Sequence, residues 1–241
     1  MRLSDFSALT FDCYGTLIDW ERGLLAALRP HFGDSPADRA LLEAFGRAEM
    51  ELEIRCPSLP YPEILAGTHR ALCREFGAPE SQAVAEAFGA SVPDWPPFPD
   101  TAAALSRLKK RFSLFILSNV DGRSIAGTIG RLGVEFDGVF TAGQIGSYKP
   151  DPRNFEFLLS RLGARGLERD SLLHTTQSLA HDIVPAKNAG LAACWIDRRK
   201  GQEGWGATAP PSEPARPDFR FPSLGALADA VDAEIERSRF L

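Results

Sequence analysis

Apolar residues along the chain follow two patterns. Residues 8–12, Ala8-Leu9-Thr10-Phe11-Asp12, form a short, nearly continuous apolar run that ends on a carboxylate. That is the pattern of a strand buried on both faces. From about residue 17 to 98 the spacing becomes helical. Leu24, Leu25 and Leu28 share one face, and Leu41, Leu42, Phe45, Ala48 and Leu52 form a longer stripe. Ser35-Pro36 is predicted to open that second helix, with Ser as N-cap and Pro at the first helical position. Pro57, Pro60 and Pro62 interrupt it, and two more helices are expected near 62–76 and 80–90. Val92 to Pro99 is rich in proline and reads as a linker.

Beyond it, helical stretches alternate with buried apolar runs. Strands are predicted at 113–117, 138–140, 171–174 and 192–196, and helices at 100–110, 122–132, 151–163 and 181–189. This alternation means βα units on a parallel sheet covered on both faces. Residues 201–218 read as a surface loop and 222–237 as a closing helix. The expected fold class is α/β: a Rossmann-like parallel-sheet core of residues 1–16 and 99–241, with a helical cap domain of residues 17–98 inserted after the first strand. Open parallel sheets bind ligands at the carboxyl ends of their strands. An insertion leaving that end would cover the site.

Composition narrows this picture only slightly. The 241 residues, 44% hydrophobic and 24% charged, suit an ordinary globular chain. A net charge of −5 gives no reason to expect nucleic acid or an anionic membrane as partner. No apolar run approaches the roughly 18 residues of a membrane span. Met1 to Asp5 meets the first strand too soon for a signal peptide. Cys13, Cys56, Cys73 and Cys194 form no CxxC pair. They read as reduced thiols, and the expected location is cytoplasmic.

Candidate chemistry gathers at the predicted strand ends. Asp12 is followed by Cys13-Tyr14-Gly15-Thr16, a turn in which Gly lets the backbone bend tightly around a substrate. Ser118-Asn119 follows the second strand, Lys149 precedes a helix in Tyr148-Lys149-Pro150-Asp151-Pro152, and Asp182 follows the strand at 171–174. Each has a plainer reading: a strand-terminal turn, a helix cap, a surface turn, a charge at a helix N-terminus. Four such groups, in order and each at a strand end, argue together for a site.

These residues carry a resemblance. Phe11-Asp12-Cys13-Tyr14-Gly15-Thr16-Leu17, Leu117-Ser118-Asn119, Tyr148-Lys149-Pro150-Asp151-Pro152 and His181-Asp182 look like the four ordered motifs of the haloacid dehalogenase superfamily. The similarity runs from about residue 8 to Arg198. Phosphatases of that superfamily carry an acid two residues after the nucleophile. Here Tyr14 stands there, as in the L-2-haloacid dehalogenases, and a Tyr with an ordinary pKa near 10 is a poor proton donor. A halide leaving group needs no proton.

The resemblance implies a hydrolase that converts short 2-haloacids to 2-hydroxy acids. Asp12 would attack the halogen-bearing carbon and form an ester, which water then opens at the carbonyl. Lys149 would hold Asp12 ionised, Thr16 would hydrogen-bond near it, and Asp182 would orient the water. Substrate contacts would come from Tyr14, Ser118, Asn119, Phe155, Ser178 and a cap arginine, Arg47, with Arg55 as substitute. A guanidinium grips a carboxylate through two hydrogen bonds. No metal or other cofactor is expected. The partner is a small-molecule haloacid, and members of the subfamily are often homodimers.

Two positions depart from the pattern. Phe155 replaces a Tyr, and the last motif has Gln177, Ser178 and Leu179 where the dehalogenases commonly place Ser and Asn around a single residue. Phosphatases would require Asp at 177. One alternative is a Mg²⁺-dependent phosphatase using Asp12, the Tyr14 backbone carbonyl and Asp182, since Mg²⁺ favours oxygen ligands. Another is a non-catalytic member that binds a small anion or a protein. The imidazoles of His174 and His181 lie near the site.

Overall fold

The computed structural model describes residues 1–238; residues 239–241, the end of the expected core segment, lie outside the described residues. The chain runs from β1 (Ala8–Phe11) through four helices: α1 (Trp20–Phe32), α2 (Asp38–Arg55), α3 (Tyr61–Phe76) and α4 (Gln82–Gly89). It returns through α5 (Thr101–Leu108) to β2 (Ser113–Ser118), α6 (Gly122–Ile129), β3 (Gly138–Thr141) and a one-turn α7 (Ala142–Ile145). Then follow α8 (Pro152–Gly163), β4 (Leu172–Thr176), a π turn (Leu179–Ile183) and α9 (Val184–Asn188). The chain closes with β5 (Ala192–Ile196), β6 (Phe219–Phe221) and α10 (Leu224–Ser238).

The six strands form one parallel sheet in the order β3-β2-β1-β4-β5-β6. β1 lies between β2 and β4, with Leu9 opposite Leu114 on one side and Leu173 on the other. All four residues of β1 and all five of β4 are buried, the polar Thr10, His174, Thr175 and Thr176 among them. Alternate residues serve opposite faces. Leu9 and Phe11 join one buried cluster with Leu114, Ile116 and Leu173, which continues into Leu24, Phe45 and Ile64 of the helical stretch. Ala8 joins a second cluster with Phe115, Leu117 and Phe155. The chain leaves β1 toward β2 on one side, and β4 takes the other. The carboxyl end of β1 is therefore a topological switch point, where such sheets open a crevice.

Four expectations need correction. The second helix starts at Asp38, with Ala37 as its N-cap, not at Ser35-Pro36. The Arg29 guanidinium ties down the Gly33 and Pro36 carbonyls and pairs with Asp38, which holds residues 33–37 in a non-helical turn ahead of the helix. The proline-rich stretch is no loose linker. Val92–Asp94 is a 3₁₀ turn, and Trp95 is buried edge-on against Tyr14, with ring centroids 5.6 Å apart. The predicted helix over 122–132 ends at Ile129. Finally, Phe219–Phe221 adds an unpredicted edge strand to β5. Three residues at the end of a Gly- and Pro-rich loop carry little period-two signal. All four cysteines are free.

Candidate active site

Asp12 follows β1 directly, and its amide still donates to Thr175 O of the neighbouring β4 (3.1 Å). Gly15 then turns the chain with a positive φ of 93°, and a Cβ there would sit 3.0 Å from Gln177 Oε1. The turn brings the Thr16 hydroxyl back to Asp12 Oδ2 (2.8 Å), while Gln177 N donates to Thr16 Oγ1 (2.8 Å).

Lys149 is 1% exposed, and its ammonium is fully engaged. Nζ donates to Asp12 Oδ1 (3.0 Å), Asp182 Oδ1 (2.7 Å) and Leu117 O (3.0 Å). Asn119 grips the Lys149 backbone from both sides: Oδ1 accepts from Lys149 N (2.7 Å), and Nδ2 donates to Lys149 O (3.0 Å). With its proton on Nε2, His174 donates to Asp182 Oδ1 (2.8 Å) and accepts at Nδ1 from the Thr10 hydroxyl (2.8 Å).

The electrostatics follow from burial and from these pairs. Burial pulls the Lys149 ammonium down, but Asp12 and Asp182 outweigh it and raise its pKa. Burial raises the Asp182 carboxyl, yet Lys149 and His174 hold it well below the ordinary carboxylate range. Asp12 is pushed up by burial, with Lys149 opposing. Burial lowers His181 to about 4, so its imidazole is neutral at pH 7.

A cleft of about 40 Å³ opens above this group. Asp12, Tyr14, Ser118, Asn119, Lys149, Ser178 and Asp182 all line it. Three buried polar atoms of its walls have no hydrogen-bond partner: Ser118 Oγ, Asp182 Oδ2 and His181 Nε2. The Tyr14 hydroxyl is instead bonded to Thr128 Oγ1 (2.9 Å), and burial raises its pKa well above the ordinary value. Ser178 is occupied with His181, accepting from its backbone N (3.0 Å) and meeting Nδ1 (3.2 Å).

Three expected contacts lie elsewhere. Phe155 packs behind the cleft, edge-on against the His174 ring at 5.1 Å. Arg47 is exposed and pairs with Glu75 (2.8 Å). Arg55, the substitute, pairs with Glu51 (3.1 Å) in solvent. For Arg47 the reason is helical phase. Phe45 faces inward, so residues four and eight positions on share its face, while residue 47 is turned about 200° away.

Sequence reasoning missed what occupies that inner face. Glu49 and Glu53 are each 5% exposed and line the cleft, together with Tyr61 of α3. Tyr61 Oη donates to Glu49 Oε1 (2.6 Å), and Asn119 Nδ2 donates to Glu53 Oε2 (3.2 Å). Burial pushes the Glu49 carboxyl up to about 7, with the Tyr61 bond opposing. Burial and the charge of Glu49 push Glu53 well above its ordinary value. The signal was present in the sequence, as two acids continuing the Leu41–Phe45 stripe at i+4 and i+8.

Comparison with known proteins places this geometry. A family model of haloacid dehalogenase-like hydrolases matches residues 6–190. The chain belongs to that family. Among the curated relatives of this hydrolase is the (S)-2-haloacid dehalogenase H-109 of Pseudomonas putida. It is 25% identical over 208 residues, 82% of this chain and 88% of the relative. A phosphoserine phosphatase of Thermus thermophilus is 31% identical over 207 residues, 80% of this chain and 77% of the relative. The solved L-2-haloacid dehalogenase RSc1362 superposes with a TM-score of 0.78 at 21% identity, covering 94% of this chain and 99% of that one. L-2-haloacid dehalogenase PA0810 gives 0.76 at 22%, covering 94% and 99%. At these identities the structures share the hydrolase's fold.

The strand-end donor set alone fits Mg²⁺ poorly. Mg²⁺ requires near-octahedral oxygen ligation. Asp12 and Asp182 already share the Lys149 ammonium, which leaves Asp182 Oδ2 as the unpartnered carboxylate oxygen. Gln177, at the position where a further acid would help, is neutral and accepts from Thr208 Oγ1 (3.2 Å). Among the described residues, no helix is long and apolar enough to cross a membrane.

Proposed function

We propose that this hydrolase cleaves carbon–halogen bonds of short 2-haloacids without a metal, through an ester on Asp12. The observation that carries the reading is the Asp12–Lys149–Asp182 group combined with a residue 14 that cannot serve as acid. Lys149 and Thr16 aim the Asp12 carboxylate, and the Tyr14 hydroxyl is committed to Thr128. Such a site suits a leaving group that departs as an anion and needs no proton.

An Asp12 oxygen forms a bond to the halogen-bearing carbon, and the C–X pair leaves with the halide. Water then adds at Asp12 Cγ, breaks the acyl–oxygen bond and releases the 2-hydroxy acid. Asp182 Oδ2, buried and unpartnered, accepts from that water and orients it. Ser118 Oγ, also unpartnered, donates to the substrate. Residues 17–98 act as a cap that closes the cleft over the core segments 1–16 and 99–241. The phosphoserine phosphatase relative favours a second reading, phosphate-ester hydrolysis.

Halide release from L- and D-2-haloacids and haloacetates, with EDTA present, tests the proposal beside a phosphate-release assay with Mg²⁺. Halide release in EDTA that disappears in Asp12→Asn, while the variant keeps its melting transition, is the expected result. Phosphate release that requires Mg²⁺, with no halide from any substrate, overturns it.

A further inference from the structure

Both walls of the cleft carry an excess of carboxyl groups. On the strand-end side Lys149 is matched by Asp12 and Asp182, and its three donors are committed. On the helical side stand Glu49 and Glu53, with no basic side chain beside them among the cleft-lining residues other than Lys149. His181 is neutral near pH 7. An anion entering alone meets up to four carboxyl groups and one ammonium already in use. Carboxyl groups this deeply buried are ordinarily paired with a cation or hydrogen-bonded throughout. Here Tyr61 and Asn119 each reach one glutamate, and neither brings a positive charge. A second observation points to a ligand: Ser118 Oγ, 2% exposed and without a partner, lines the same cleft.

We infer that the substrate carries an ammonium group, held by Glu49 and Glu53 of α2 with Tyr61 and Asn119 as their fixed supports. The inference takes the Asp12 chemistry proposed above as given and names the acid it acts on: a short zwitterionic haloacid. Its ammonium sits on the helical side and its remaining polar group reaches Ser118. The geometry explains why Arg47 points to solvent. The inner face of α2 carries acids in the place where a carboxylate clamp would need a base. An ammonium brought between the two glutamates would restore the ionised form that burial disfavours.

Equilibrium binding of three non-reactive probes tests this at pH 8.5. The probes are propylammonium, β-alanine and propionate, followed by ligand-observed NMR on the full chain. Propylammonium and β-alanine are expected to bind the wild type more tightly than propionate. Their affinity falls at least tenfold in Glu53→Gln and is lost in Glu49→Gln/Glu53→Gln, while propionate binds the double variant better than the wild type. A melting scan checks that each variant is folded, and Glu53→Gln alone decides if the double variant is not. Propionate binding the wild type as tightly as propylammonium overturns the proposal. So does propylammonium binding that Glu53→Gln leaves unchanged. Mg²⁺ binding that Glu53→Gln abolishes, with no propylammonium binding, overturns it in favour of a metal. None of these readings needs turnover, so absent halide release with intact ammonium binding counts against the reaction and not against this site.

Discussion

Glu49 allows a stability prediction with a definite sign. Burial moves its carboxyl from the ordinary 4.5 up to about 7 in the fold. Each pH unit of such a difference is worth about 1.4 kcal/mol, so the displacement corresponds to about 3 kcal/mol. Below pH 4.5 the group is protonated folded and unfolded, and it exerts no pull. Between 4.5 and 7 the unfolded chain has lost the proton while the fold still holds it, so stability falls as pH rises. Above 7 the full loss is in place. Glu49→Gln removes the charge and keeps an oxygen to accept from Tyr61 Oη. The variant is therefore expected to match the wild type at pH 4.5 and exceed it at pH 8. For a chain of this length about 3 kcal/mol corresponds to roughly 6–12 °C in Tm. Thermal melts followed by circular dichroism at half-unit steps from pH 4.5 to 8.5 measure the gap. A gap that stays flat, or a variant that melts below the wild type at pH 8, would refute the assignment of a buried, uncompensated carboxylate to this position.

Lys149→Met is expected to abolish turnover and to destabilise the fold by about 3–5 kcal/mol at pH 7.5, because two buried carboxylates lose their shared cation. The loss shrinks toward pH 4, because without Lys149 burial raises both carboxyls in the variant and they take up protons as pH falls, which removes the uncompensated charge; denaturant titration at both pH values checks it. Arg47→Ala should leave the kinetics of any substrate unchanged and stability within about 0.5 kcal/mol, because its exposed pair with Glu75 contributes little; a tenfold change in KM would return Arg47 to the cleft. Gly46→Ala is expected to lower stability by about 1–3 kcal/mol, since its Cβ would lie 2.2 Å from Ala207 O. A melting point equal to the wild type would mean that the 201–218 loop does not rest on α2.

The strand-end chemistry was legible because Asp12 and Ser118 sit where a buried strand stops, while Lys149 and Asp182 lie in the turns that follow β3 and β4. A strand buried on both faces carries few charged or polar residues in its interior, so Asp12 and Ser118 stand out against Leu9, Phe11, Ile116 and Leu117. His174 was harder to place. It lies within β4 as an imidazole among apolar neighbours, and only the fold brings Thr10 and Asp182 to its two nitrogens. The start of α2 was misread because Ser-Pro is a good helix opening locally, and the contacts from Arg29 that override it come from another helix. β6 was missed because its pairing with β5 is wholly non-local.

The misplacement of Arg47 is the most informative of these. Motif resemblance located the right helix but not the right face. Period alone would have corrected it, since a residue two positions from a buried Phe cannot share its side of a helix. Glu49 and Glu53 pass that test, and they were overlooked because a helical Glu is ordinarily solvated. Burying two of them beside a third and fourth carboxyl is unfavourable unless something bound restores their charge. The stability that Glu49 withholds above pH 7 and the affinity it lends to an ammonium are thus two measurements of one arrangement. If Glu49→Gln gains stability at pH 8 and in the same sample loses propylammonium, the carboxylate is explained by what it binds. If it gains stability and binding is unchanged, the acid on α2 must serve a step after binding, and the water that opens the Asp12 ester is the next place to look.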